Sequence, residues 1–140
     1  MRAITVPLKL IDLQDDGFHL LVEIVVFGEK LLAVVDTGAS RSVFDKAFIK
    51  QHIDITETEQ SHAITLFSTT SILQATIPEV KLGRLHIKDY YAIALELDGV
   101  NETYESLGHP PIVAILGSDI FLKYQAIINF KKLKLYLYNV

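Results

Sequence analysis

The sequence predicts a mostly β chain with two short helices. Three observations point there. β-branched and aliphatic residues come in short runs, as in HLLVEIVVF and KLLAVV. Turn signals such as Gly83-Arg84 separate those runs. Only brief stretches, such as SVFDKAFIKQH and DIFLKY, space their apolar residues as a helix does.

In chain order, AITVPLKLI and HLLVEIVVF read as the first two strands, with Asp15-Asp16-Gly17 as the turn between them. Gly28-Glu29 reads as a tight hairpin turn into KLLAVV. That next strand is apolar at nearly every position, as in a strand buried on both faces. Ser42 to His52 is apolar at Val43, Phe44, Ala47 and Phe48 and opens on a Ser able to cap, so it reads as a helix. HAITLFSTTSILQATI has a polar centre, Ser68 to Ser71, between Leu66-Phe67 and Ile72-Leu73, the outline of a hairpin. EVKLGRLHIKDYYAIALEL gives two strands around Gly83-Arg84. Asn101 to Leu107 reads as a helical turn capped by Asn101. IVAILG is a second buried strand ending in glycine, and Ser118-Asp119 caps the short helix DIFLKY. QAIINF and LKLYLY close the chain as a hairpin around Lys131-Lys132.

The chain's 140 residues predict a single domain, 1–140. Half are hydrophobic and 21% are charged, ample for a core. Net charge is −4 without a basic stripe, which argues against a nucleic-acid partner. No apolar run approaches the ~20 residues of a membrane span. The N-terminal stretch lacks the apolar region of a secretory signal, so a cytoplasmic location is expected. The absence of cysteine excludes disulfides, Cys-ligated zinc and thiol catalysis. His19, His52, His62, His86 and His109 show no ligand spacing, and no metal is expected.

Two of the apolar strands end at glycine: AVVDTG and AILG. In the first, Asp36 stands at the strand end. A buried carboxylate is costly unless it is paired, hydrogen-bonded or protonated. Thr37 offers a hydroxyl for local hydrogen bonds, and Gly38 lets the backbone pass close to the carboxylate. Ala39 and Ser40 are small enough to leave room for a ligand. Asp-Thr-Gly alone also occurs in ordinary turns, because Asp and Gly favour them.

The combination is more specific than either piece. Val34-Val35-Asp36-Thr37-Gly38-Ala39-Ser40, followed about eighty residues later by Ile115-Leu116-Gly117 and the helix from Asp119 to Leu122, resembles the retropepsin-like aspartic proteases. The resemblance spans roughly His19 to Tyr138. It implies a single-lobe, acid-protease-like β-barrel or sandwich. It implies an endopeptidase that needs no cofactor and takes a peptide or protein substrate. Asp36, Thr37 and Gly38 would form the catalytic loop. Ala39, Ser40 and Arg41 would line the substrate, and Phe67, Ser68, Thr69 and Thr70 would cover it as a flap. Family chemistry needs two carboxylates sharing a proton, since like charges so close cannot both ionise. The chain holds one Asp-Thr-Gly. The resemblance therefore implies a homodimer that contributes one Asp36 from each chain.

Several features depart from the minimal family pattern. The candidate flap tip, Leu66 to Ile72, has no glycine. Leu97 to Pro111 is an insertion. A catalytically silent dimerisation or peptide-binding module would keep the same loop for its hydrogen bonds. An all-β binding protein with an incidental Asp-Thr-Gly would place Asp36 in an exposed turn. Asp119 reads as a helix cap or as a partner of Arg41. Tyr90, Tyr91, Tyr136 and Tyr138 read as packing residues.

Overall fold

The computed structural model describes residues 2–53, 62–64, 69–71 and 73–139, with 62–64 and 69–71 described as backbone. The strands are β1 (Ile4–Asp12), β2 (Phe18–Val26), β3 (Glu29–Val35), β4 (Val43–Asp45), β5 (His62–Ile64), β6 (Thr69–Ser71), β7 (Leu73–Leu82), β8 (Leu85–Leu95), β9 (Ala114–Leu116), β10 (Ile127–Asn129) and β11 (Lys134–Leu137). The helices are α1 (Lys46–His52), α2 (Asp98–Ser106) and α3 (Ser118–Lys123), with a 3-10 turn at Gln14–Asp16.

The main sheet runs β10-β11-β1-β2-β3-β9-β4-β8-β7, and β7 returns to pair with β2. Six strands thus close into a barrel: β2, β3, β9, β4, β8 and β7. The closing contact is short, Val25 and Val26 against Lys81 and Val80, and β10 is the open edge of the appended β1-β11-β10 ribbon. Two of the barrel pairings are parallel, β3 with β9 and β4 with β8. A parallel pair needs a long crossover, which is why the two glycine-terminated strands lie about eighty residues apart in sequence and side by side in space.

Alternation along β2 and β3 separates two cores. Leu20, Val22, Ile24 and Val26 join Ala33, Phe44, Ile77, Val80 and Leu116 in the larger core, several of them fully buried. Leu21 and Val34 point the other way, into a second cluster with Ile11, Leu13, Leu97, Tyr104 and Ile112. KLLAVV is therefore apolar on both faces because both are covered. Full burial of such side chains contributes roughly 1.5–3 kcal/mol each.

Several predicted boundaries move. The β2–β3 turn is Phe27-Gly28, both at positive φ (53° and 77°), closing Val26 onto Glu29. That is a two-residue turn whose backbone twist suits a hairpin, so the turn sits one residue earlier than Gly28-Glu29. The helix predicted from Ser42 begins at Lys46. Val43 to Asp45 pair with β9 and β8 instead, and Asp45 caps, accepting from the Phe48 N–H at 3.3 Å. Among the described residues helices number three rather than two, because the turn predicted at Asn101 to Leu107 is the nine-residue α2. Leu97 rather than Asn101 is its N-cap residue. The Asn101 side chain sits inside α2 and bonds both the N–H and the carbonyl of Ile112, at 2.8 and 3.0 Å. The central hairpin is shifted from its predicted place. β5 pairs antiparallel with β6, so Thr69 to Ser71, read as its polar tip, are strand residues. The residues that join the two strands lie outside the described residues, and the expected second arm from Leu73 pairs with β8 instead. Among the described residues, no helix is long and apolar enough to cross a membrane.

Candidate functional site

The stretch from Asp36 to Ser42 leaves the end of β3 and loops back to β4. Its neighbour is the segment that leaves β9, because β3 and β9 run parallel with Val35 opposite Leu116. The two strand ends therefore open at the same edge of the barrel. The Asp36 N–H donates to the Leu116 carbonyl at 2.9 Å, so the carboxylate-bearing residue is fixed by its main chain. The Gly38 N–H then donates to Asp36 Oδ1 at 2.9 Å, which orients the carboxylate. The Ala39 N–H closes the turn onto the Asp36 carbonyl at 3.1 Å.

Gly117 packs behind this loop. A Cβ there would lie 2.5 Å from the Ala39 carbonyl oxygen and 3.0 Å from the Arg41 carbonyl carbon. Only a residue without a side chain lets the two segments approach so closely. The contact is reinforced by the Ser118 N–H, which donates to the Ala39 carbonyl at 2.8 Å.

A polar network locks the far end. Ser42 is fully buried. Its hydroxyl accepts from the Gly117 N–H at 2.8 Å and donates to Asp119 Oδ1 at 2.7 Å. Its N–H donates to the same Oδ1 at 2.9 Å. Asp119 Oδ2 accepts from the Tyr90 hydroxyl at 2.9 Å. Burial and the adjacent Asp119 carboxylate push the Tyr90 hydroxyl well above the usual phenol range, so it stays a donor. The sequence reading of Asp119 as a helix cap is corrected here. The N-cap residue of α3 is Gly117, with no side-chain cap, and Asp119 spends both oxygens on Ser42 and Tyr90. With every member bonded, the network stiffens the loop; half-broken, it would leave buried polar groups unpaired.

Asp36, Thr37, Gly38, Ser40 and Arg41 are exposed in the single chain, and Ala39 is half-buried. The structure thus gathers these six residues into one braced loop with its carboxylate facing outward. Such bracing is more than an incidental turn requires. Thr69 and Thr70 lie in β6, opposite Ile64 and Ala63. Phe67 and Ser68 lie outside the described residues. Among the described residues, no group of three His, Asp or Glu side chains gathers to hold a metal ion.

Sequence reasoning missed Ser42, Tyr90 and Tyr104 as partners of this region. Ser42 carried a local signal, a polar residue just ahead of the apolar pair Val43-Phe44. Tyr90 carried none, since its partner is 29 residues away. Tyr104, almost fully buried in α2, has its hydroxyl 2.6 Å from His19 Nδ1. Burial and the negative charge of Asp36 push that hydroxyl up to about 12. α2 thus packs through Tyr104 in the same cluster as Val34, two residues before Asp36.

Comparison with known proteins agrees with this geometry. A sequence profile of the family described as aspartyl protease matches residues 22–120. A retropepsin-like aspartic protease from Rickettsia conorii superimposes with a TM-score of 0.59 at 21% identity, covering 99% of this chain and 96% of that one. The retroviral protease-like domain of Ddi1 from Leishmania major gives 0.57 at 17% identity, covering 86% and 88%. No curated protein sequence matches significantly. The fold is retropepsin-like, and the matched segment contains both glycine-terminated strands, the Asp36 loop and the start of α3: the chain belongs to the aspartyl protease family.

Proposed function

We propose that the protein is an aspartic endopeptidase active as a homodimer, with one Asp36 from each chain. The observation that carries this reading is the Asp36 loop, fixed by Leu116, Gly117, Ser118 and Asp119 from behind and exposed in front. An oriented carboxylate on a rigid support is what general acid–base chemistry needs. One such carboxylate is not enough for peptide hydrolysis. Two, brought together across a two-fold axis, share a proton because both cannot ionise at close range.

In that site, the ionised Asp36 takes a proton from a water held between the pair. The water oxygen attacks the scissile carbonyl carbon, while the protonated Asp36 donates to the carbonyl oxygen. The tetrahedral intermediate collapses as a proton passes to the leaving nitrogen and the C–N bond breaks. Water is the nucleophile, and neither metal nor cofactor enters. Thr37 of each chain bonds across the axis and joins the two loops. Ala39, Ser40 and Arg41 line the extended substrate, and the β5–β6 hairpin, with Phe67, Ser68, Thr69 and Thr70, covers it.

A second reading is a silent dimerisation or peptide-binding module. The glycine-free hairpin tip favours it, since glycine eases the bending of a hairpin over a ligand.

One experiment separates them. An unbiased peptide mixture is incubated with the protein from mildly acidic to neutral pH, and cuts are read by mass spectrometry. Asp36→Asn runs in parallel, with the mass of both proteins measured in the same tubes. Asparagine keeps the Oδ1 that accepts from Gly38, so the loop stays intact. The expected result is cutting by the wild type and a fall of about 10²–10⁴-fold or more in the mutant. A dimeric wild type that cuts nothing overturns the enzymatic reading in favour of the silent module.

A further inference from the structure

His19 lies where the β2–β3 ladder runs out. The last paired residues are Leu20 and Val35, so the next step of the same register sets His19 beside Asp36. Both positions fall on the face that carries Leu21 and Val34, and this is the face α2 covers with Tyr104. Register and topology thus bring an exposed imidazole, an inserted helix and the Asp36 loop to one edge of the barrel. The pair is well held. The rings of His19 and Tyr104 meet edge-on at 5.9 Å between centroids, and Tyr104 packs in turn against His109, whose Nε2 donates to the Asp12 carbonyl at 2.7 Å.

The hydrogen positions follow from the partners. The Tyr104 hydroxyl has one proton and is buried, and the acceptor within its reach among the described residues is His19 Nδ1. Its raised titration keeps that proton in place. The hydroxyl therefore donates to Nδ1, and the neutral imidazole carries its own proton on Nε2. Nε2 has no partner among the described residues. An exposed, oriented N–H donor left unpartnered beside a candidate catalytic loop is suited to bind an acceptor on whatever occupies that loop.

We propose that His19, held by Tyr104 of the inserted helix, is a substrate-positioning residue whose Nε2–H donates to a main-chain carbonyl of the extended peptide bound at Asp36. The inference rests on the reading of Asp36 as the peptide-processing site. His19 takes no part in proton transfer to the scissile bond, and its contribution appears in binding. A hydrogen bond to the main chain is made with any sequence, so the effect is uniform over peptides.

The test compares wild type, His19→Ala, His19→Gln and Tyr104→Phe on several of the peptides cut by the wild type. His19→Ala should raise KM about tenfold with kcat little changed. His19→Gln, which restores an N–H donor, should recover most of that loss, and Tyr104→Phe should fall between. A merely structural role would lower kcat, or active protein, and would show no rescue by glutamine. Equal KM for His19→Ala and wild type overturns the proposal. A readout without turnover keeps it separate from the enzymatic reading. The His19 ring nitrogens are followed by NMR in Asp36→Asn while the same peptide mixture is added. An Nε2-protonated tautomer whose Nε2 resonance moves with peptide supports the proposal even if no peptide is cut. An Nε2 resonance indifferent to peptides that shift the Asp36–Arg41 amides overturns it, as does a mixture that shifts neither.

Discussion

Gly117 has no room for a side chain. A Cβ would sit 2.5 Å from the Ala39 carbonyl oxygen, a main-chain atom that is also held by Ser118 and cannot swing aside. Gly117→Ala must push the Asp36 loop away from β9. Overpacking of this kind costs about 1–3 kcal/mol, read as a lower melting temperature, and the displaced loop should lose most peptide cleavage. An alanine variant of unchanged stability and activity would show that the loop is not braced from behind. At this scale the Asp36-Thr37-Gly38 loop and the Ile115-Leu116-Gly117 strand were legible, because each is a contiguous run whose chemistry is local. Asp119 was misread. A Ser-Asp pair ahead of an apolar turn has the local signature of a cap. Its real partners, Ser42 and Tyr90, are 77 and 29 residues away and leave no trace in the local pattern.

α2 shows how much of an element a sequence can hide. Val100, Tyr104 and Leu107 have helical spacing and do face the second core, yet Asp98 and Gly99 at its start are poor helix formers. Asn101 then reads as a cap, although its side chain serves the loop after the helix by clamping Ile112. The β-strands were more legible than α2, because their alternation is strict and their lengths are short. The boundaries that moved, at Phe27-Gly28 and at Ser42, were set by pairing across the sheet, which one strand's sequence does not reveal. The packing of α2 has a pH consequence. The hydroxyl of Tyr104 titrates near 10 when unfolded and at about 12 in the fold. The folded chain holds that proton more tightly, so its contribution is fully present below pH 10 and is lost as pH rises towards 12. Wild type should lose stability to denaturant over that window, and Tyr104→Phe should lose less. Parallel curves for the two proteins would remove Tyr104 from the alkaline transition.

At the scale of the whole molecule, one chain presents one Asp36 carboxylate and, in β10, an open sheet edge. The barrel closes on itself through β2 and β7, and β10, at the end of the appended ribbon, is an edge still able to pair. Ile127 on that strand is 51% exposed, and Phe130 just beyond it is 67% exposed, as is Leu122 of α3 at 82%. Ile127 and Phe130, large apolar side chains left in water on and just beyond an unpaired edge, suit contact with a second copy of the chain. If the proposed activity needs two chains, then specific activity must fall on dilution through the dissociation constant, with rate varying as the square of concentration at the dilute end. Ile127→Lys puts a charge on the open edge without emptying a core position. Self-association, measured by sedimentation, should therefore shift to higher concentration while the melting temperature of the dilute protein stays within about 0.5 kcal/mol equivalent of wild type. The dilution curve for activity should move by the same factor as the sedimentation curve. Activity that is linear in concentration down to a monomeric mass would mean that a single Asp36 suffices, and the two-chain mechanism would fall with it.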